Sequence, residues 1–233
     1  MTPKTEATIY LADQRGCTQV DWYRSYHTFN YGTYFREHRR PFRNLQVLND
    51  NTLKEGSNLK QHVKENSIIL ILPIVGSVRY KNKSGIDSLI EVGQAHFFFA
   101  SKDSEFEFSN LYENELINFL HIELSTHLQL SDDTVQKFEF DLDGNRNQLI
   151  PLHPNKEDNQ HQNTLAWIGK FKGRQEGTHS LKNASTGVFI FVIEGAFEVQ
   201  NRLLHARDGL ALSNIDAIEF EALSNDAILL VIE

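Results

Sequence analysis

The chain has 233 residues and a formal charge of −8, from 23 Lys and Arg against 31 Asp and Glu. That balance argues against broad binding to nucleic acid or anionic membrane, because both need basic surface to displace counterions. A hydrophobic content of 40%, with 16 Phe, is enough for a packed core rich in rings. The one basic concentration is Arg36, Arg39, Arg40 and Arg43 in "FREHRRPFR", read as a solvated loop. A single cysteine, Cys17, cannot close an internal disulfide, which fits a reducing compartment. "MTPKTEATIY" lacks the basic and apolar regions of a signal peptide, and no apolar run approaches the roughly 20 residues of a membrane helix. The expectation is a soluble cytoplasmic protein with no membrane partner and no direct nucleic-acid binding.

In chain order the apolar stretches are short and β-rich. "SIILILPIVGSVRY" (67–80) reads as two strands meeting near Gly76, followed by "AHFFFA" (95–100), "EFEFSN" (105–110) and "LINFLHIEL" (116–124). A polar stretch begins at Ser131 and runs through "PNKEDNQHQN" (154–163); a short helical turn is expected near Asp132–Gln136. Strands resume in "GVFIFVIEGAFEVQN" (187–201), "DGLALSN" (208–214), "AIEFEALSN" (217–225) and "AILLVIE" (227–233).

The two halves repeat. "LPIVGSVRY" parallels "FVIEGAFEV", aligning Gly76 with Gly195, and "VGQAHFFFAS" parallels "RDGLALSN", aligning Gly93 with Gly209. Duplication of a hairpin-rich unit predicts an all-β chain of two tandem jelly-roll barrels, residues 1–130 and 131–233, an architecture of which the cupins are one branch.

Several blocks carry a resemblance to the pirin family of bicupins. They are "ADQRG" (12–16), "HTFNYGTY" (27–34), "LQVLNDNTLKEGSNLKQH" (45–62), "FLHIEL" (119–124) and "RDGLALSN". The match is to bacterial quercetinase-type members and runs from about residue 9 to the end. It implies a metal-bearing first barrel and a metal-free second one. The family's iron is held by three histidines and one glutamate; some members oxidise flavonols, and the animal member is a nuclear cofactor.

Counted without gaps from Gly56 and Gly93, the family's ligand positions fall on His62, Lys64, Phe106 and Phe108, with Ile68 at a further glutamate position. Only His62 can donate to a metal, since an ammonium and phenyl rings have no suitable lone pair. No metal cofactor is therefore expected, with iron or another divalent ion as the alternative. In that alternative a one-residue slip turns Glu105 and Glu107 inward beside His62. Burying two carboxylates favours the register with the phenylalanines inside.

In the preferred register Lys64 and His62 reach the cavity, with Phe106 and Phe108 opposite. Such a pocket suits a small aromatic or acidic molecule; in the opposing picture the rings fill the space and Lys64 turns to solvent. His96 is a core or edge histidine. His153, His161 and His179 lack ligand spacing, and "DGNRN" (143–147) is a turn. Three functions stay open: a metal-free binding or regulatory bicupin, a metal-dependent quercetin 2,3-dioxygenase-like enzyme, and a protein-interaction module with an unknown partner.

Overall fold

The computed structural model describes residues 5–127, 135–152, 166–182 and 187–233. After β1 (Glu6–Tyr10) come β2 (Gly16–Val20), β3 (Tyr23–His27), β4 (Leu45–Leu53), β5 (Asn58–His62), β6 (Ser67–Val75) and β7 (Ser77–Asn82). Next are β8 (Asp87–Glu91), β9 (Gln94–Ala100), β10 (Glu105–Ser109), β11 (Ile117–Ser125), β12 (Val135–Glu139) and β13 (Ile150–Leu152). The last group is β14 (Ala166–Phe171), β15 (Glu176–Ser180), β16 (Val188–Glu194), β17 (Ala196–Val199), β18 (Arg202–His205), β19 (Gly209–Ser213), β20 (Ala217–Ala222) and β21 (Ala227–Ile232). No helix among the described residues is long and apolar enough to cross a membrane.

The chain divides into two compact units. Residues 15–140 form the first barrel, whose larger sheet runs β12-β9-β6-β11-β4-β3-β2 and whose smaller sheet runs β5-β10-β7-β8. Its core takes Ile69, Ile71 and Phe98 from the large sheet and Val78, Tyr80, Phe106 and Phe108 from the small one. This is the two-sheet sandwich of a jelly roll, with alternate residues of each strand facing inward. Residues 1–14 and 141–233 form the second barrel, with sheets β1-β19-β16-β21-β14-β13 and β15-β20-β17-β18. Its core sets Val188, Ile190 and Leu229 against Phe197, Val199 and Phe220.

Three expectations need correction. The boundary is not a single cut near residue 130, because β1 pairs antiparallel with β19, Glu6 opposite Ser213, and belongs to the second barrel. Of the helical turn expected near Asp132–Gln136, residues 132–134 lie outside the described residues, and from Val135 to Glu139 the chain instead forms an edge strand on β9, satisfying backbone groups that β9 would otherwise leave open. Arg39 is buried rather than solvated and donates from Nη1 to the Thr28 carbonyl at 3.4 Å. Its neighbours Arg36, Arg40 and Arg43 are exposed.

The repeat holds in space with one shift. Gly76 and Gly195 both adopt left-handed backbone, φ 74° and 78°, where the chain passes from the large sheet of each barrel to the small one. At the second turn Gly93, φ 86°, corresponds to Arg207, φ 72°, and not to Gly209. The registers require this: Ile71 faces His96 in the first barrel, and Ile190 faces Leu210 in the second.

Candidate functional site

On β5 and just after it, Leu59 and Val63 enter the first core, while Lys60, His62 and Lys64 are exposed. His62 and Lys64 therefore lie outside the barrel, which corrects the expectation that they line its pocket. The inward groups of this segment are Leu59, Gln61 and Val63. Alternation is the cause: placing two cations and an imidazole inward would bury charge and expel Leu59 and Val63.

Phe106 and Phe108 are 4% and 0% exposed and point inward. Glu105 does stand opposite His62 in the β10–β5 register, but on the outer face. There Lys83 Nζ lies 2.6 Å from Glu105 Oε2 and holds that carboxyl below its ordinary range. Asp103 Oδ1 is 3.8 Å from His62 Nε2, with both side chains largely exposed. Glu107 is half-buried opposite Lys60 and Lys81.

The interior is an aromatic cluster with one polar wall. Tyr80 stacks on Phe98 at 3.8 Å, Phe106 meets Phe108 edge-on at 5.1 Å, and Phe108 meets Phe119 at 4.9 Å. The polar wall is built by β3, β4 and β11. Asn49 stands directly opposite both His27 and His121, and Asn51 opposite Ser25 and Phe119. His27 is fully buried; its Nδ1 is 2.9 Å from Asn49 Oδ1, and its Nε2 is 2.9 Å from Thr18 Oγ1. Burial lowers its pKa, so the ring is neutral.

His121 is fully buried, edge-on to Phe106 and Phe108 at 5.7 and 5.4 Å. Its Nε2 lies 3.0 Å from Glu123 Oε1, an ion-pair distance without hydrogen-bond alignment. Beside it Tyr31 Oη donates to Gln61 Oε1 at 2.7 Å, and burial, then the Glu123 carboxylate, raises the Tyr31 pKa. His96 shares this interior; burial and then Lys137 lower its pKa to about 4, and its Nδ1 is 3.4 Å from Ser88 Oγ.

Sequence reasoning missed His27, Tyr31, Asn49, Asn51, His121 and Glu123 as interior groups. The signal was present in "FLHIEL", where His121 and Glu123 sit two apart between Leu120, Ile122 and Leu124. Of the discounted histidines, His153 and His161 lie outside the described residues. His179 is buried in the second barrel, 2.7 Å from Glu233 Oε1 and 4.4 Å from the Trp167 ring. A hollow of about 320 Å³ on that barrel's small sheet is lined by Glu176, Glu198, Glu219 and Glu221.

Residues 154–233 match the family described as the quercetinase C-terminal cupin domain. The whole chain is similar to quercetin 2,3-dioxygenase of Escherichia coli K12, 24% identical over 95% of this chain and 97% of the relative. It superposes on the crystal structure of YhhW from Escherichia coli with a TM-score of 0.82, at 20% identity and 97% coverage of both chains. A second structure of that protein, a bacterial pirin in complex with nickel(II), gives 0.81. The chain has a bicupin fold like that of these bacterial pirins. For this bicupin the family's iron can be tested against the donors present. The inward groups at the expected ligand strands are Leu59, Gln61, Val63, Phe106 and Phe108, and His27 already spends both ring nitrogens. Among the described residues no group of three or more His, Cys, Asp or Glu is placed to hold a metal ion. The residues do not fit a three-histidine, one-glutamate site.

Proposed function

We propose that this pirin-like bicupin acts without the family's metal, as a small-molecule-binding protein whose first barrel takes an aromatic guest. The observation that carries the reading is the chemistry of the inward positions. Phe106 and Phe108 stand where metal donors are expected, and the histidine and lysine of β5 and the residues after it are outside. Ring walls with a few polar groups are the ordinary composition of a small-molecule site.

A second reading, a metal-dependent quercetin 2,3-dioxygenase-like oxidoreductase, is favoured by the similarity to the Escherichia coli quercetin 2,3-dioxygenase over nearly the whole chain. One experiment separates them. Untagged protein is loaded anaerobically with iron, desalted, and assayed for metal by plasma mass spectrometry and for quercetin consumption. Less than about a tenth of an equivalent, with no turnover, is the expected result, because isolated imidazoles retain metal poorly. Near one equivalent with quercetin turnover would replace this reading with the enzyme.

A further inference from the structure

The polar wall of the first barrel holds groups that the protein itself does not complete. Asn49 Nδ2, Asn51 Nδ2 and both ring nitrogens of His121 are sealed from solvent with no hydrogen-bond partner. Each amide turns its oxygen to a neighbouring side chain. Asn49 Oδ1 is occupied by His27, and Asn51 Oδ1 accepts from Tyr23 Oη at 3.1 Å. What remains pointing inward are N–H donors.

Leaving such a group unpaired costs about 1–3 kcal/mol, and native interiors rarely keep one without a use. The fold does not require them. Gly76 lies against Ile117 and Gly195 against Ala227, which aligns β11 with β21. The second barrel then has Trp167, Gly169 and Val231 where the first has Asn49, Asn51 and His121.

We propose that the β3–β4–β11 wall is a binding site for the carbonyl oxygen of a small, uncharged aromatic ketone or aldehyde. This deepens, and rests on, the small-molecule reading above. Two neighbouring amide donors call for one oxygen acceptor. Phe106 and Phe108, edge-on to His121, and Phe119 beside them call for a flat apolar body. Glu123, 3.0 Å from His121, disfavours a carboxylate guest by like-charge repulsion.

The test is a titration of the ¹⁵N-labelled full chain with acetophenone and, separately, benzoate, following the side-chain amide signals of Asn49 and Asn51. Acetophenone is expected to shift both, and benzoate neither. Asn51→Leu is expected to weaken acetophenone binding by about tenfold or more, the loss of one buried hydrogen bond. His121→Leu, which keeps the apolar volume, gives a second check if the first variant folds poorly. Unmoved amide signals, or variants that bind as well as the parent, overturn the proposal. Shifts confined to the surroundings of Phe106 and Phe108 overturn it while leaving the small-molecule reading standing. No shift anywhere removes both.

Discussion

The two barrels have the same strand plan and opposite interiors on one wall. In the first, β4 and β11 bring Asn49, Asn51 and His121 together beneath Glu123. In the second, β14 and β21 put Trp167, Gly169 and Val231 in the same places, and Leu210 replaces His96. Both keep a glutamate at the end of the central strand: Glu123 beside His121, Glu233 beside His179. In the second barrel the pair is aligned, with Nε2 2.7 Å from Oε1, and Glu233 Oε2 also accepts from the Lys182 backbone N–H. The lesson is that this architecture folds around an apolar wall, so polar groups there have to be explained by use and not by the needs of folding.

Exchanging the two walls is the sharpest way to break the comparison. Val231→His puts an imidazole into a close-packed apolar site and is expected to lower the unfolding free energy by about 1–3 kcal/mol. The reverse change, His121→Val, removes two uncompensated nitrogens and should cost less than about 1 kcal/mol or stabilise. Urea unfolding of both variants measures this, and equal losses would mean the interiors are equivalent after all.

A smaller effect concerns pH. The folded-state pKa of His96, about 4, lies below the ordinary value of 6.5. Between those values the unfolded chain binds a proton that the folded chain refuses, so stability is full above about pH 6.5 and falls as the pH drops towards 4. Burial of His27 acts in the same direction. Replacing His96 by the second barrel's residue, His96→Leu, is expected to flatten the fall in melting temperature between pH 7 and 5 without abolishing it. An unchanged slope would show that the ring is accessible in the folded state. The smallest effect belongs to His62→Ala, an exposed site, which should leave stability within about 0.5 kcal/mol. A larger loss by thermal unfolding would bring His62 back as a structural residue.

The order of strands and the duplication were legible because period-two alternation and paired glycine turns are local signals. The candidate site was legible only in part. The inward rings followed from "EFEFSN", where the charged and aromatic residues alternate. The parity of β5 was decided instead by counting from Gly56 and Gly76, across a turn whose length the count had to assume. Alternation within "NLKQHVK" itself contains the answer, because Leu59 and Val63 claim the core and leave Lys60, His62 and Lys64 outside. The polar wall was harder to see, since Asn49 and Asn51 become neighbours of His121 only after strands some 70 residues apart pair. No local pattern marks that meeting.

The placement of β1 has a consequence for synthesis. Glu6 is made about 200 residues before its partner Ser213, which follows the entire first barrel. At the usual 5–20 residues per second the strand waits roughly 10–40 s on the ribosome with its edge unpaired. Through that interval "EATIY" is a nascent segment exposed to chaperones and to other chains. The second barrel's large sheet therefore closes only when a strand made before the first barrel meets one made after it.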